Sequence, residues 1–164
     1  MIYSLKTILT IIILAFNFGR VDASSFKPDS VYLSMASKHV NLTADPGTEY
    51  NEINPGLIFS WNNRKYGLNY WLGGIRNSFS TISPYAATAK MWPLGSDIKL
   101  GIFGSIAGYY NNGSISTKIG NSGYVFLGGF QFEYRNIFIQ LQPTLINNKN
   151  IGGVFVTGIS VPLK

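Results

Sequence analysis

The chain has 164 residues, of which 15% are aromatic and only 12% are charged, and it contains 18 glycines and no cysteine. Soluble domains carry about 25% charged residues, so this composition indicates a surface that something other than water covers. A chain without cysteine excludes a disulfide framework, a thiolate metal site, a catalytic thiol and a lipoprotein anchor.

The first 23 residues have the organisation of a secretory signal peptide. Lys6 supplies the basic start, Ile8–Phe18 forms an apolar core, and Val21-Asp22-Ala23 resembles a cleavage site. The core is too short to favour a spanning helix, which needs about 20 apolar residues. We therefore predict an exported protein with a cleaved signal peptide, residues 1–23, and one domain, residues 24–164.

The predicted mature chain is basic but contains no basic run. Without the signal peptide it keeps 11 basic and 6 acidic residues, a net charge of +5, and the basic side chains are scattered. Scattered positive charge without a recognition motif argues against a nucleic-acid partner. A phosphate-rich lipid surface is a better partner for an exported basic protein.

Turn residues divide the predicted mature chain into eight segments with the character of β-strands. In the fifth segment Leu100 and Ile102 alternate with Gly101, and in the seventh Ile139 follows Phe138 with the same period. A period of two residues is that of a strand with one apolar face. The predicted strands cover residues 30–39, 56–62, 66–76, 81–92, 97–109, 122–133, 137–144 and 151–161.

Eight such strands predict the smallest outer-membrane barrel. Several approach the roughly 9–11 residues that a tilted strand needs to cross a bilayer. Closure also satisfies every backbone group, as hydrocarbon requires. The alternative is a water-soluble ligand-binding barrel, whose outer face would carry more charge. We predict an all-β fold, an eight-stranded antiparallel transmembrane β-barrel of the outer-membrane type.

The lengths of the connections orient this predicted barrel. The connections at 62–65, 93–96 and 134–136 are short, whereas those at 40–55 and 111–121 are long. Short turns mark the periplasmic end of outer-membrane barrels. Strands one and three therefore end at the same extracellular rim.

One histidine and one serine occur at that predicted rim. His39, the only histidine in the chain, ends strand one, and Ser78 follows strand three. An imidazole that takes the hydroxyl proton would allow the serine oxygen to attack an ester carbonyl. The alternative is structural, because serine and asparagine are ordinary loop residues and His39 could bond within the first long loop.

Several short motifs occur in an order and spacing that match one family of outer-membrane enzymes. They are, in chain order, His39, Tyr50-Asn51-Glu52 with Pro55-Gly56, Asn77-Ser78, Pro84-Tyr85-Ala86, and Pro143 with Asn147-Asn148. Together these motifs resemble the lipid A palmitoyltransferase (PagP) family. The resemblance extends over most of the mature chain as short islands.

The resemblance implies an outer-membrane enzyme that moves a fatty acyl chain from a phospholipid to lipid A. It assigns His39 as general base, Ser78 as the second catalytic group and Asn77 as an orienting residue. Asn77 replaces the aspartate of the family, and an amide has no negative charge to stabilise an imidazolium. Candidates for a replacement carboxylate are Asp45, Glu49 and Glu52.

The resemblance also implies residues that contact the lipid substrates. These are Tyr50, Asn51 and Glu52 in the first loop and Arg76 at the rim. A glycine forms the floor of the acyl pocket in the family, and a gapless count places Ala89 there. We therefore expect a preference for acyl chains slightly shorter than palmitoyl. A count wrong by one residue would instead turn Ala89 toward lipid.

Other departures from the family leave two further functions open. Residues 24–29 leave no room for the amphipathic helix of the family, and Val161–Lys164 lacks a terminal aromatic residue. A non-enzymatic barrel that binds lipid or shields the surface is one alternative. An acyl hydrolase, with water as acceptor, is the other. The resemblance implies no metal or soluble cofactor, and we expect a monomer with a phospholipid acyl donor and lipid A as partners.

Overall fold

The computed structural model describes residues 26–163 except 43–48, 110–118, 120–121 and 147–149. The predicted signal peptide lies outside the described residues, as do Asp45 and the Asn147-Asn148 pair. No helix in the described part of the chain is long and apolar enough to span a membrane.

The protein is a closed barrel of eight antiparallel strands, which confirms the predicted fold class. Each strand pairs with its neighbours in the chain, and the last strand closes the barrel against the first. The strands are β1 (Ser30–Val40), β2 (Ile53–Trp61), β3 (Asn69–Arg76), β4 (Ile82–Pro93), β5 (Ile98–Gly108), β6 (Tyr124–Tyr134), β7 (Ile137–Ile146) and β8 (Asn150–Pro162).

Strands β2 and β3 begin at residues other than those predicted. The ladder of β1 and β2 continues through an Ala36–Ile53 pair, so β2 begins before Pro55 rather than after it. Strand β3 begins three residues later than predicted because Lys65–Gly67 forms a 3-10 turn. Tyr66 has a φ of 62° there, which lies outside the extended region, so β3 begins only after this turn.

Side chains alternate between the two faces of the barrel wall as predicted. On β5, Ile102 is 49% exposed on the outside, whereas the next residue, Phe103, is 6% exposed inside. On β7, Ile139 faces outward and Phe138 is buried. The outer band also contains Leu57, Phe59, Leu72, Leu100, Ile106, Phe126, Phe130, Phe132, Phe155 and Ile159.

Aromatic rings form a layer across the interior. The Tyr32 ring lies 5.4 Å from Trp71 and 5.3 Å from Phe138, between ring centroids. Trp71 lies 5.9 Å from Phe103 in the same way. Tilted and edge-on contacts at these distances are favourable between aromatic rings. The layer belongs to the buried core of the barrel.

A buried polar network lies beside this aromatic layer. Glu133, 1% exposed, accepts a hydrogen bond from the Tyr32 hydroxyl and another, 2.8 Å long, from the Gln131 amide. Its second oxygen pairs with Lys99 Nζ at 3.1 Å. The Gln140 amide donates to Gln131 at 2.7 Å. Each buried polar group named here therefore has a partner, as burial requires.

The barrel wall is incomplete between β6 and β7. Their ladder runs from the pair Tyr134 and Ile137 only as far as Phe130 and Leu141. Beyond that point, Phe126–Gly128 and Gln142–Thr144 line a cavity of about 170 Å³. We call this feature the lateral gap. Pro143 has no N–H to donate toward β6, whereas β7 still pairs with β8 at this level.

Candidate active site

The two ends of the barrel differ in their connections. Residues 62–68, 94–97 and 135–136 join strands at one end, which we call the turn end. The opposite end, where β1 and β3 finish, we call the site end. Strand counting predicted that His39 and Ser78 share one end, and this prediction is confirmed.

His39 and Ser78 are in direct contact at the site end. Ser78 Oγ lies 2.9 Å from His39 Nε2. Ser78 is buried and His39 is half-buried. For the hydroxyl to donate this bond, Nε2 must be unprotonated and the neutral ring must carry its proton on Nδ1. In that tautomer the imidazole is placed to take the serine proton.

Asn77 is buried next to this pair, at 1% exposure, but its hydrogen bonds go to the turn and not to the imidazole. Its side-chain oxygen accepts the N–H groups of Phe79, at 2.9 Å, and Thr81, at 3.0 Å. Its amide donates to Ser83 Oγ at 2.9 Å. The geometry therefore makes Asn77 the organiser of the turn that carries Ser78, and not the expected orienting group of the ring.

No described carboxylate completes a triad with His39. Its Nδ1 is buried without a hydrogen-bond partner among the described residues. The Glu52 carboxylate instead pairs with Lys38 Nζ at 2.9 Å, and this hydrogen bond lowers the pKa of Glu52. Glu49 is exposed. Asp45, the third candidate, lies outside the described residues.

Tyr50, from the first loop, stacks on the imidazole. The ring centroids of Tyr50 and His39 are 4.1 Å apart and their planes differ by 8°. Phe79 makes an edge contact with Tyr50 at 5.8 Å, and Tyr109 another with Phe79 at 6.2 Å. Burial raises the pKa of Tyr109 to about 12, so this aromatic cluster carries no charge from Tyr109 at neutral pH.

Asn51, Glu52 and Arg76, which were also expected to contact the lipid substrates, differ in their contacts. The Asn51 N–H donates to the Ser78 carbonyl at 2.7 Å, so this residue fastens the first loop to the serine turn. Glu52 is committed to Lys38, as described above. Arg76 is exposed at the end of β3. Of these residues, Arg76 is therefore the cation presented to the surroundings of the site.

Ala89 faces the interior of the barrel and not the lipid side, as the gapless count predicted. It is 2% exposed and belongs to the core that contains Trp71 and Phe103. Its ladder partners are Asn69 and Phe103. Its position on β4 is nearer the turn end than the site end.

Sequence reasoning missed three features of the molecule. The stack of Tyr50 on His39 depends on how the first loop folds back, which no local pattern encodes. The lateral gap was signalled only by Gly128, Gly129 and Pro143, residues that weaken or interrupt a ladder. The polar network was detectable, because Gln131 and Glu133 occupy the inward positions of β6.

Comparison of the chain with protein-family models gave no match, and comparison with curated protein sequences gave no significant match. The site is therefore interpreted from its own geometry. Within the described ranges, no three His, Asp or Glu side chains form a group that could hold a metal ion.

Proposed function

We propose that the protein is an outer-membrane acyltransferase that moves a fatty acyl chain from a phospholipid to lipid A. The observation that carries the proposal is the 2.9 Å contact between Ser78 Oγ and His39 Nε2 at the site end of the barrel. A hydroxyl in hydrogen-bond contact with a neutral imidazole is the arrangement that activates a serine for acyl transfer.

The proposed reaction has two acyl-transfer steps. His39 takes the Ser78 proton, the serine oxygen attacks the ester carbonyl of the phospholipid, and the lysophospholipid alcohol leaves with that proton. His39 then takes a proton from a lipid A hydroxyl, whose oxygen attacks the acyl-serine. Ser78 leaves as the alcohol and recovers its proton from the imidazolium.

The outer surface of the barrel supports a location in a membrane. Its middle is a band of exposed Leu, Ile and Phe side chains, and Tyr66, Trp92 and Tyr134 are exposed toward the turn end. Aromatic residues beside an apolar band are typical of transmembrane barrels. We expect the mature protein to fractionate with outer membranes and to migrate differently on gels before and after heating. Recovery as a soluble periplasmic protein would exclude this location.

The lateral gap supports a substrate with a long apolar chain. Its cavity of about 170 Å³ lies between Phe126–Gly128 and Gln142–Thr144, where β6 and β7 no longer pair. Gly128 and Pro143 line it together with the larger side chains of Phe126, Leu127 and Gln142. We propose that an acyl chain enters the barrel at this cavity while its ester stays near the site end.

A second candidate function is a lipid-binding barrel without catalytic activity. The absence of a described carboxylate on His39 Nδ1 favours it, because the imidazolium would lack its usual counter-charge. In this case the Ser78–His39 contact would serve only to hold the rim together.

One assay distinguishes these functions. Purified protein in detergent micelles is given a phospholipid with a labelled acyl chain, together with lipid A, and the labelled products are resolved by mass spectrometry. Labelled lipid A supports the acyltransferase, whereas labelled free fatty acid shows a hydrolase. Unchanged phospholipid with retained label on the barrel supports the binding function and excludes both enzymes.

A further inference from the structure

Tyr50 has a position that the mechanism above does not use. Its ring lies parallel to the His39 imidazole, with centroids 4.1 Å apart and planes 8° from parallel. Phe79 meets the Tyr50 ring edge-on, at 5.8 Å, and so limits its freedom to rotate. The Tyr50 ring is therefore held by two neighbours: the His39 imidazole, and Phe79 in the turn that carries Ser78.

The face of a phenol ring attracts a cation. The π-electrons give the face a negative quadrupole, and an imidazolium stacked on it gains cation–π stabilisation that a neutral imidazole does not. A catalytic histidine needs such stabilisation only while it holds the proton. A carboxylate supplies it in the Ser-His-Asp arrangement, but no described carboxylate reaches His39 Nδ1.

The charged neighbours of His39 stabilise its protonated form only in part. Burial disfavours positive charge on the ring most, Glu52 favours it and Lys38 disfavours it, and these two side chains form an ion pair with each other at 2.9 Å. Their opposite effects on the imidazole partly cancel because each screens the other. The stacked face of Tyr50 is therefore a further described group that favours the imidazolium.

We infer that Tyr50 is a positioning residue that stabilises the protonated form of His39 through its ring face, in the role that a carboxylate fills in Ser-His-Asp sites. The inference rests on the proposed function for its catalytic meaning, because a proton-accepting histidine is required there. Its physical content, an aromatic face that favours the imidazolium, can be measured in a protein with no activity at all.

The test uses the single histidine of the chain. The protein is prepared without a histidine tag, labelled with ¹³C-histidine and folded in detergent micelles, and its one imidazole signal is titrated by NMR. We expect the pKa of His39 to fall in Tyr50→Leu, to stay at the parent value in Tyr50→Phe, and to rise in Tyr50→Trp, because tryptophan has the stronger π-face. Tyr66→Leu, at the exposed turn end, is the matched control and should not change it.

The three variants of Tyr50 keep the inference falsifiable if one of them does not fold. An unchanged pKa in Tyr50→Leu, or a pKa that does not rise in Tyr50→Trp, would overturn it. A fall in Tyr50→Phe equal to that in Tyr50→Leu would also overturn it, because the hydroxyl and not the ring would then be responsible.

Kinetics separate this inference from the proposed function. In Tyr50→Leu we expect the maximal rate of acyl transfer to fall about three- to tenfold, and the acid limb of the pH–rate profile to move to lower pH. A purely structural role would lower the rate without moving that limb. A pKa that responds as expected in a protein without acyl transfer would refute the proposed function and leave the effect of Tyr50 on the imidazolium standing.

Discussion

The two ends of the barrel differ in their connections and in their hydrogen bonding. At the turn end, the connections are short and the Arg64–Asp29 and Arg135–Asp97 ion pairs and the nearby Glu133 network join charged groups, whereas Arg64 Nε is buried without a partner among the described residues. At the site end, His39 Nδ1 lacks a described partner and the wall opens between β6 and β7. Unpaired buried atoms therefore occur at both ends, and the difference is that one of those at the site end belongs to an imidazole in contact with a serine hydroxyl.

The largest expected effect belongs to the site end. Removal of either partner of the Ser78–His39 contact, by Ser78→Ala or His39→Ala, should lower the acyl-transfer rate by about 10²–10⁴-fold because the proton acceptor or the nucleophile is lost. The barrel should remain folded, which heat-modifiable migration checks. Ser80→Gly is the matched control, since Ser80 is exposed in the same turn and its φ of 65° suits glycine. Full activity in either Ala variant would refute the mechanism.

The next largest effect tests the turn end. Glu133→Ala leaves Lys99, the Tyr32 hydroxyl and the Gln131 amide without their acceptor, and should lower the free energy of unfolding by about 3–5 kcal/mol. Asp97→Ala breaks an exposed ion pair with Arg135 and should cost only about 0–1 kcal/mol. Denaturant unfolding in lipid vesicles gives both values. Equal costs would show that the buried network does not anchor the barrel.

A third prediction concerns the outer band between the two ends. Ile102→Arg places a charge on the outward face of β5 and should cost about 2–4 kcal/mol if the band lies in hydrocarbon. Ile53→Arg, at the site-end tip of β2, should cost about 0–1 kcal/mol because the interface is close. The same unfolding measurement in vesicles compares them. Two neutral results would place the band outside a membrane.

A fourth prediction separates the turn from the imidazole. Asn77→Asp keeps the acceptor for the Phe79 and Thr81 N–H groups but loses the donor to Ser83 Oγ, whose own proton goes to the Gly108 carbonyl. We expect a loss of about 1–3 kcal/mol in the free energy of unfolding, and no gain in acyl-transfer rate. A faster variant would show that residue 77 acts on His39 after all.

The smallest expected effect lies in the depth of the interior. Ala89→Gly removes one methyl group near the aromatic layer and should shift the preference among acyl chains about fourfold toward palmitoyl, because a buried methylene contributes about 0.8 kcal/mol. A series of phospholipids with different acyl lengths measures the preference. Identical profiles for parent and variant would show that Ala89 does not limit the acyl chain.

The fold was predictable because most wall residues obey a two-residue period, with an exception in β1, where the register shifts between Ser34 and Ala36. Leu100 and Ile102 alternate with small or polar residues, and eight antiparallel strands of that kind can close into a barrel. The starting residues of β2 and β3 were less predictable. The 3-10 turn at Lys65–Gly67 depends on a tyrosine at positive φ, and the early start of β2 depends on its ladder with β1.

The site was predictable only where strand counting reaches it. Successive strands of an antiparallel barrel run in opposite directions, so strands one and three end at the same rim. Counting turns placed His39 and Ser78 at that rim. It did not place Tyr50 on the imidazole, because a loop of twelve residues between β1 and β2 can fold in many ways. Nor did it show that Asn77 bonds to its own turn, since residue type does not determine which of several donors an amide meets.

Mass spectrometry of lipid A tests the central claim, that the site end of this barrel transfers acyl chains, most directly. Lipid A is extracted from cells that express the parent protein and from cells that express Ser78→Ala at the same level in the outer membrane. We predict that the parent adds the mass of one fatty acyl chain and that Ser78→Ala adds none. Lipid A that is unchanged by the parent, or equally modified by both, would contradict the claim.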